Sequence, residues 1–171
     1  QDCGYPYKEL CGAGVAWNVI RVLYENYDMD KREAEDLLDF VAMATVCDVM
    51  SLTGENRILV KEGLKRIRHT KNIGLQALMQ ACNVQPENIS AYHFGYVLGP
   101  CVNATGRLDT ARHALRLFET GQETEAEEIA RDLVDLNQER KELTLQGVEM
   151  AKKLCEEGGY ENDPVLVLFL P

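Results

Sequence analysis

The sequence predicts a mainly α-helical fold, and three observations carry that expectation. Apolar residues recur at helical spacing along most of the 171 residues. Residues suited to helix ends bracket several of these runs, Ser90 before one and Gly121 after another. A single stretch, 165–170, reads as a buried strand, and one strand cannot satisfy its own backbone.

The first helix is expected over 9–27, where Val15, Ala16, Val19, Ile20, Val22 and Leu23 would pack on more than one side. Gly12 and Gly14 near its start leave room for another backbone or an anion. The second runs over 31–47 with Leu37, Leu38, Val41, Ala44 and Thr45 inward, and Asp48 follows it. Thr53 and Gly54 mark a turn. Glu55 then opens a helix in which Val60, Leu64 and Ile67 share one face and Arg57, Lys61, Lys65 and Arg68 another. Short helices follow over 75–81 and 91–98, and Gly99–Pro100 is expected to break the chain. A helix over 109–119 precedes a long one, 123–156, about 50 Å from end to end. That length suits either a helix laid along the core or a connector between two domains. Gly158, Gly159 and Pro164 close it.

Composition narrows the function classes. With 46% hydrophobic and 27% charged residues the chain resembles a water-soluble domain, and no apolar run reaches the ~18 residues of a membrane span. The start, Gln1-Asp2-Cys3-Gly4, has neither a basic nor an apolar leader and no Met, which fits a fragment. The six cysteines form no CxxC pair, so reduced thiols in the cytoplasm are expected in place of disulfides or a zinc site. A net charge of −10 argues against nonspecific coating of nucleic acid. It does not exclude a local basic track, and Lys61, Lys65, Arg66, Arg68 and Lys71 cluster while 119–139 is acidic.

Two stretches could carry chemistry. In the first, Ala44-Thr45-Val46-Cys47-Asp48-Val49 runs into Leu52-Thr53-Gly54-Glu55-Asn56-Arg57, and Asp48 is either a turn former or a ligand. The second is Leu98-Gly99-Pro100-Cys101-Val102-Asn103-Ala104-Thr105-Gly106-Arg107-Leu108. It reads as a connecting loop with Gly106 at positive φ, or as a phosphate cradle using exposed N–H groups, the Asn103 amide and the Arg107 fork. The Arg57, Lys61, Lys65 stripe is a solvated face or a track for a DNA backbone. His69, His93 and His113 form no ligand pair and are expected at the surface or in packing.

In this order and separation the two stretches resemble the RecJ group of the DHH phosphoesterase family, whose members are single-strand-specific DNA exonucleases. The resemblance runs from Tyr5-Pro6-Tyr7-Lys8 to the final strand, and no Asp-His-His run occurs in the chain. It implies the helical C-terminal half of a DHH-type α/β catalytic domain over 1–120. A bridging helix over 121–158 and the first strand of a truncated associated domain over 159–171 would follow. It makes Asp48 one ligand of a Mn (or Mg) site whose other ligands, from Asp-x-Asp and Asp-His-His motifs, would precede Gln1. Asn103, Gly106 and Arg107 would lie beside the path of single-stranded DNA, with Cys101 where some members carry a basic residue. The implied activity is a 5′ exonuclease of repair and recombination, cytoplasmic and without membrane contact. The fragment itself is expected to be inactive and metal-free, and to self-associate through its last strand. Alternatives are another DHH phosphoesterase acting on short oligonucleotides, without the long helix, or a helical interaction module.

Overall fold

The computed structural model describes residues 3–108, 111–160 and 165–169, with the side chains of Arg107 and Leu108 outside the description. All regular structure among them is helical. The order is α1 (Gly12–Asn26), α2 (Lys31–Glu35), α3 (Leu38–Cys47), α4 (Gly54–Arg66), α5 (Ile73–Ala81), α6 (Ala91–His93), α7 (Gly99–Leu108), α8 (Ala111–Glu119) and α9 (Glu123–Gly158).

The start signals are local and physical. The Asn72 side chain accepts the Leu75 N–H at 2.9 Å and opens α5. Ser90 and His93 exchange bonds in a capping box that opens α6. Where one helix is expected over 31–47, two form. The Ala34 carbonyl, which an unbroken helix would give to Leu38, is taken by the Trp17 indole N–H at 2.7 Å. Arg66 then pairs with both Glu35 and Asp36 at the break.

Two clusters hold the body together. The larger is centred on Leu75, Leu78, Phe94, Leu98, Leu117 and Leu133, all fully buried among α5, α7, α8 and α9. Each such side chain contributes roughly 1.5–3 kcal/mol of burial. The smaller joins Trp17, Leu38, Val41 and Leu59 from α1, α3 and α4. Gly63 lets α4 close on α3, since a Cβ there would strike the Leu38 carbonyl and Ala42.

Two expectations need correction. On α1 only Gly14 and Trp17 are buried; Val15, Val19, Val22 and Leu23 stay about half exposed because none of the described elements covers that face. α9 is laid along the core over its first half, as one reading of the long helix has it. Ala126, Ile129, Ala130, Leu133 and Asn137 are buried against the body, whereas Leu145, beyond its midpoint, is 66% exposed. Its 36 residues span about 54 Å. Finally, residues 165–169 form no strand; Val165, Val167 and Phe169 lie open to solvent, and 161–164 and 170–171 are outside the described residues.

Candidate functional site

Asp48 is the last residue of the α3 turn, with its N–H bonded to the Ala44 carbonyl at 2.9 Å. Its side chain is exposed, and it makes no hydrogen bond or ion pair among the described residues. A carboxylate at the negative end of a helix is unfavourably placed unless a cation neutralises it. Behind it the chain turns through a Schellman arrangement: Val49 N–H meets the Val46 carbonyl and Met50 N–H the Thr45 carbonyl, both at 3.1 Å. The same turn ends α1 at Asp28, α5 at Asn83 and α9 at Gly159, residue types that tolerate positive φ. Val49, at φ 55°, does not. A β-branched residue there costs about 1–2 kcal/mol, and with its side chain 89% exposed nothing repays the strain. Glycine gives back about 0.5–1 kcal/mol in chain entropy, so Val49→Gly is expected to stabilise by a net of about 1 kcal/mol, raising the melting temperature by about 2–4 °C; a lower value would show the turn to be unstrained.

The second stretch is helix, not loop. From Ala91 to Leu108 the chain stays helical, with the turn Phe94–Leu98 wound as a π-helix in which Gly99 N–H bonds the Phe94 carbonyl. Pro100 does not break it because the wide turn before it, closed by the Gly99 N–H to Phe94 carbonyl bond, makes room for the ring. Gly106 is helical, since the only positive-φ glycines among the described residues are Gly54 and Gly159. The cradle of free loop N–H groups is thereby overturned. What the helix offers instead is Asn103 and Gly106 at its exposed positions, with Arg107 next in sequence. Cys101 points the other way, into the core, 3.8 Å from Cys82 and accepting from Asn137.

The two stretches meet through Cys47. Its Sγ donates to the Phe94 carbonyl at 3.4 Å, and Gly95 and Gly99 lie against Val46 and Cys47. Burial, with the Asp48 carboxylate beside it, pushes the Cys47 thiol up to about 11, so it is a neutral packing group. The end of α3 carrying Asp48 is thus seated on the turn that leads into α7.

Arg57, Lys61 and Lys65 of α4 and Arg68 of the turn after it line one open groove of about 340 Å³, together with Leu52, Val60 and Leu64. Lys65 pairs with Glu62 at 2.7 Å. Arg57, Lys61 and Arg68 have no ion-pair partner among the described residues.

No family model matches the sequence. RecJ from Salmonella typhimurium, a single-stranded-DNA-specific exonuclease, is 38% identical over 167 residues, covering 91% of this chain and 29% of that protein. The Haemophilus influenzae enzyme of the same name is 37% identical over 164 residues, with coverages of 91% and 28%. RecJ of Thermus thermophilus, solved in complex with Mn²⁺, superposes with a TM-score of 0.76 at 33% identity, covering 92% of this chain and 22% of that one. Its Mg²⁺ complex gives 0.77 at 34% identity, covering 94% and 24%. This chain is homologous to RecJ. It spans less than a third of the length of those curated relatives.

The RecJ structures were solved with Mn²⁺ or Mg²⁺, but the described residues of this chain contain no group of three or more His, Cys, Asp or Glu able to hold a metal. One exposed carboxylate does not make such a centre. An Asp-x-Asp spacing does occur, at Asp28 and Asp30, and both are structural. Asp28 is the left-handed residue after α1, and Asp30 caps α2 through the Arg32 N–H at 3.0 Å. The histidines are likewise engaged or peripheral: His93 in the capping box, His113 3.3 Å from Asp132, His69 exposed.

One residue of the first stretch had no role assigned from the sequence. Asn56 is fully buried, and its amide donates to the carbonyls of Glu9 at 2.7 Å and Ser51 at 3.1 Å. Tyr7 donates to the Thr53 carbonyl and Tyr5 to Glu55. Together they clamp the segment before α1 onto the turn that follows Asp48. The signal available was an amide between Glu55 and Arg57 in a turn, which is also what a solvated turn looks like.

Proposed function

We propose that this chain is part of a metal-dependent exonuclease that degrades single-stranded DNA from the 5′ end, working in repair and recombination in the cytoplasm. The observation that supports this best is that the two stretches carrying the RecJ likeness lie on touching elements, the end of α3 and the turn into α7. Asp48 would be one ligand of a divalent centre, with the remaining ligands supplied from outside this sequence. Bound there, such ions activate water and stabilise the leaving oxygen of a phosphodiester.

The chain's own contribution is positioning. Asn103 would donate its amide to a phosphate oxygen, Gly106 would let the strand approach the helix backbone, and Arg107 would meet a phosphate as a charged fork. On α4 the unpaired Arg57 and Lys61, with Lys65, would follow the backbone of the strand. The apolar residues 165–169 are left to pair with a neighbouring chain or domain.

The test is nucleotide release from end-labelled DNA by the complete protein carrying this segment, in Mn²⁺ or Mg²⁺ and then in chelator. Release from the 5′ end of single strands, little from duplex and none in chelator is expected, with none from the isolated chain. Metal-independent release, or equal attack on duplex, would overturn the reading.

A further inference from the structure

Tyr92 and Tyr96 are 62% and 73% exposed, and their rings are stacked with centroids 5.2 Å apart at 26°. Two large aromatic faces held together in water leave much apolar surface unburied, and both lie on a rigid base. Beneath them Phe94 and Leu98 are fully buried. Beside them His93 meets Tyr92 edge-on at 5.7 Å, and its Nδ1 is tied to the Ser90 hydroxyl at 2.9 Å. The pair therefore stands on a packed helical base.

Its surroundings suit one class of occupant. Tyr92, Tyr96, Asn103 and Gly106 are the exposed positions described between Ala91 and Gly106, and that run rests on the end of α3 that bears Asp48. The chain carries 28 acidic residues, yet none falls between Glu87 and Asp109, and Arg107 lies in this interval. A phosphate backbone following α7 meets no carboxylate from the run itself, and a base beside it meets an aromatic face. We infer that Tyr92 and Tyr96 form a stacking platform for a base of single-stranded DNA, an inference that rests on the function proposed above. The platform reads no sequence, because every base offers a π-face.

The test measures binding by the complete protein in chelator, which prevents digestion. The probes are a short oligo-dT, an abasic phosphodiester oligomer of equal length and a duplex. Tyr96→Leu and Tyr92→Leu are each expected to weaken oligo-dT binding about tenfold and leave the abasic oligomer unaffected. Tyr96→Phe keeps the ring and should bind as the parent does. Leu variants that bind oligo-dT like the parent, or lose both oligomers equally, would overturn the platform alone. A parent that does not prefer single strands to duplex would overturn it together with the proposed function.

Discussion

Replacing Asp48 with alanine in the complete protein is expected to lower metal-dependent nucleotide release at least about a hundredfold while leaving the fold intact. Even residues that only support a metal ligand cost about 10–100-fold when removed, and Asp48 is proposed as a ligand itself. Stability should move little or upward. The side chain is exposed and makes no hydrogen bond among the described residues, so no internal contact is lost. The charge also sits at the negative end of α3, and removing it relieves about 0.3–1 kcal/mol. A useful control is the neighbouring thiol. Asp48 is one of the two causes holding Cys47 high, so Cys47 should titrate lower in the variant. An Asp48→Ala protein with parental turnover would return the residue to a simple turn former.

Much of the helical fold was legible because its signals are local. Ser90 and the three-four spacing of Ala126, Ile129 and Leu133 mark helices through their own backbone and one face. What escaped depends on contacts that a one-dimensional pattern does not carry. Gly99–Pro100 has the composition of a break; it instead follows a wide helical turn that makes room for the proline ring and is seated on the end of α3. Val49 is a strand-favouring residue, and only the Schellman bonds around it force the left-handed backbone. Val15, Val19 and Val22 read as core, yet they stay about half exposed, since no described element packs over them. Tyr92 and Tyr96 stand four apart on a helix, a spacing that packs a core as readily as it builds an exposed face. Burial alone separates the two.

Gly99→Ala is expected to be the most damaging single methyl group that can be added near the site. A Cβ at Gly99 would overlap Cys47 Sγ and the Phe94 carbonyl. The sulfur could turn away, but the carbonyl is backbone and already accepts the Gly99 N–H. The π-turn must therefore open, or α7 must back away from α3. Overpacking of this kind costs about 1–3 kcal/mol, lowering the melting temperature by roughly 2–12 °C at 2–4 °C per kcal/mol. Cys47→Ala removes the softer of the two obstacles, so the Gly99→Ala and Cys47→Ala double variant should recover only part of the loss. Full recovery would assign the clash to the thiol and leave the carbonyl innocent. A functional consequence separates this site from an ordinary core glycine. The contact it fills is the one that seats the Asp48 end of α3 on the run bearing Asn103, so nucleotide release should fall further than the unfolded fraction explains. Activity that merely tracks the folded population would mean that the α3–α7 contact holds the fold without aligning the site.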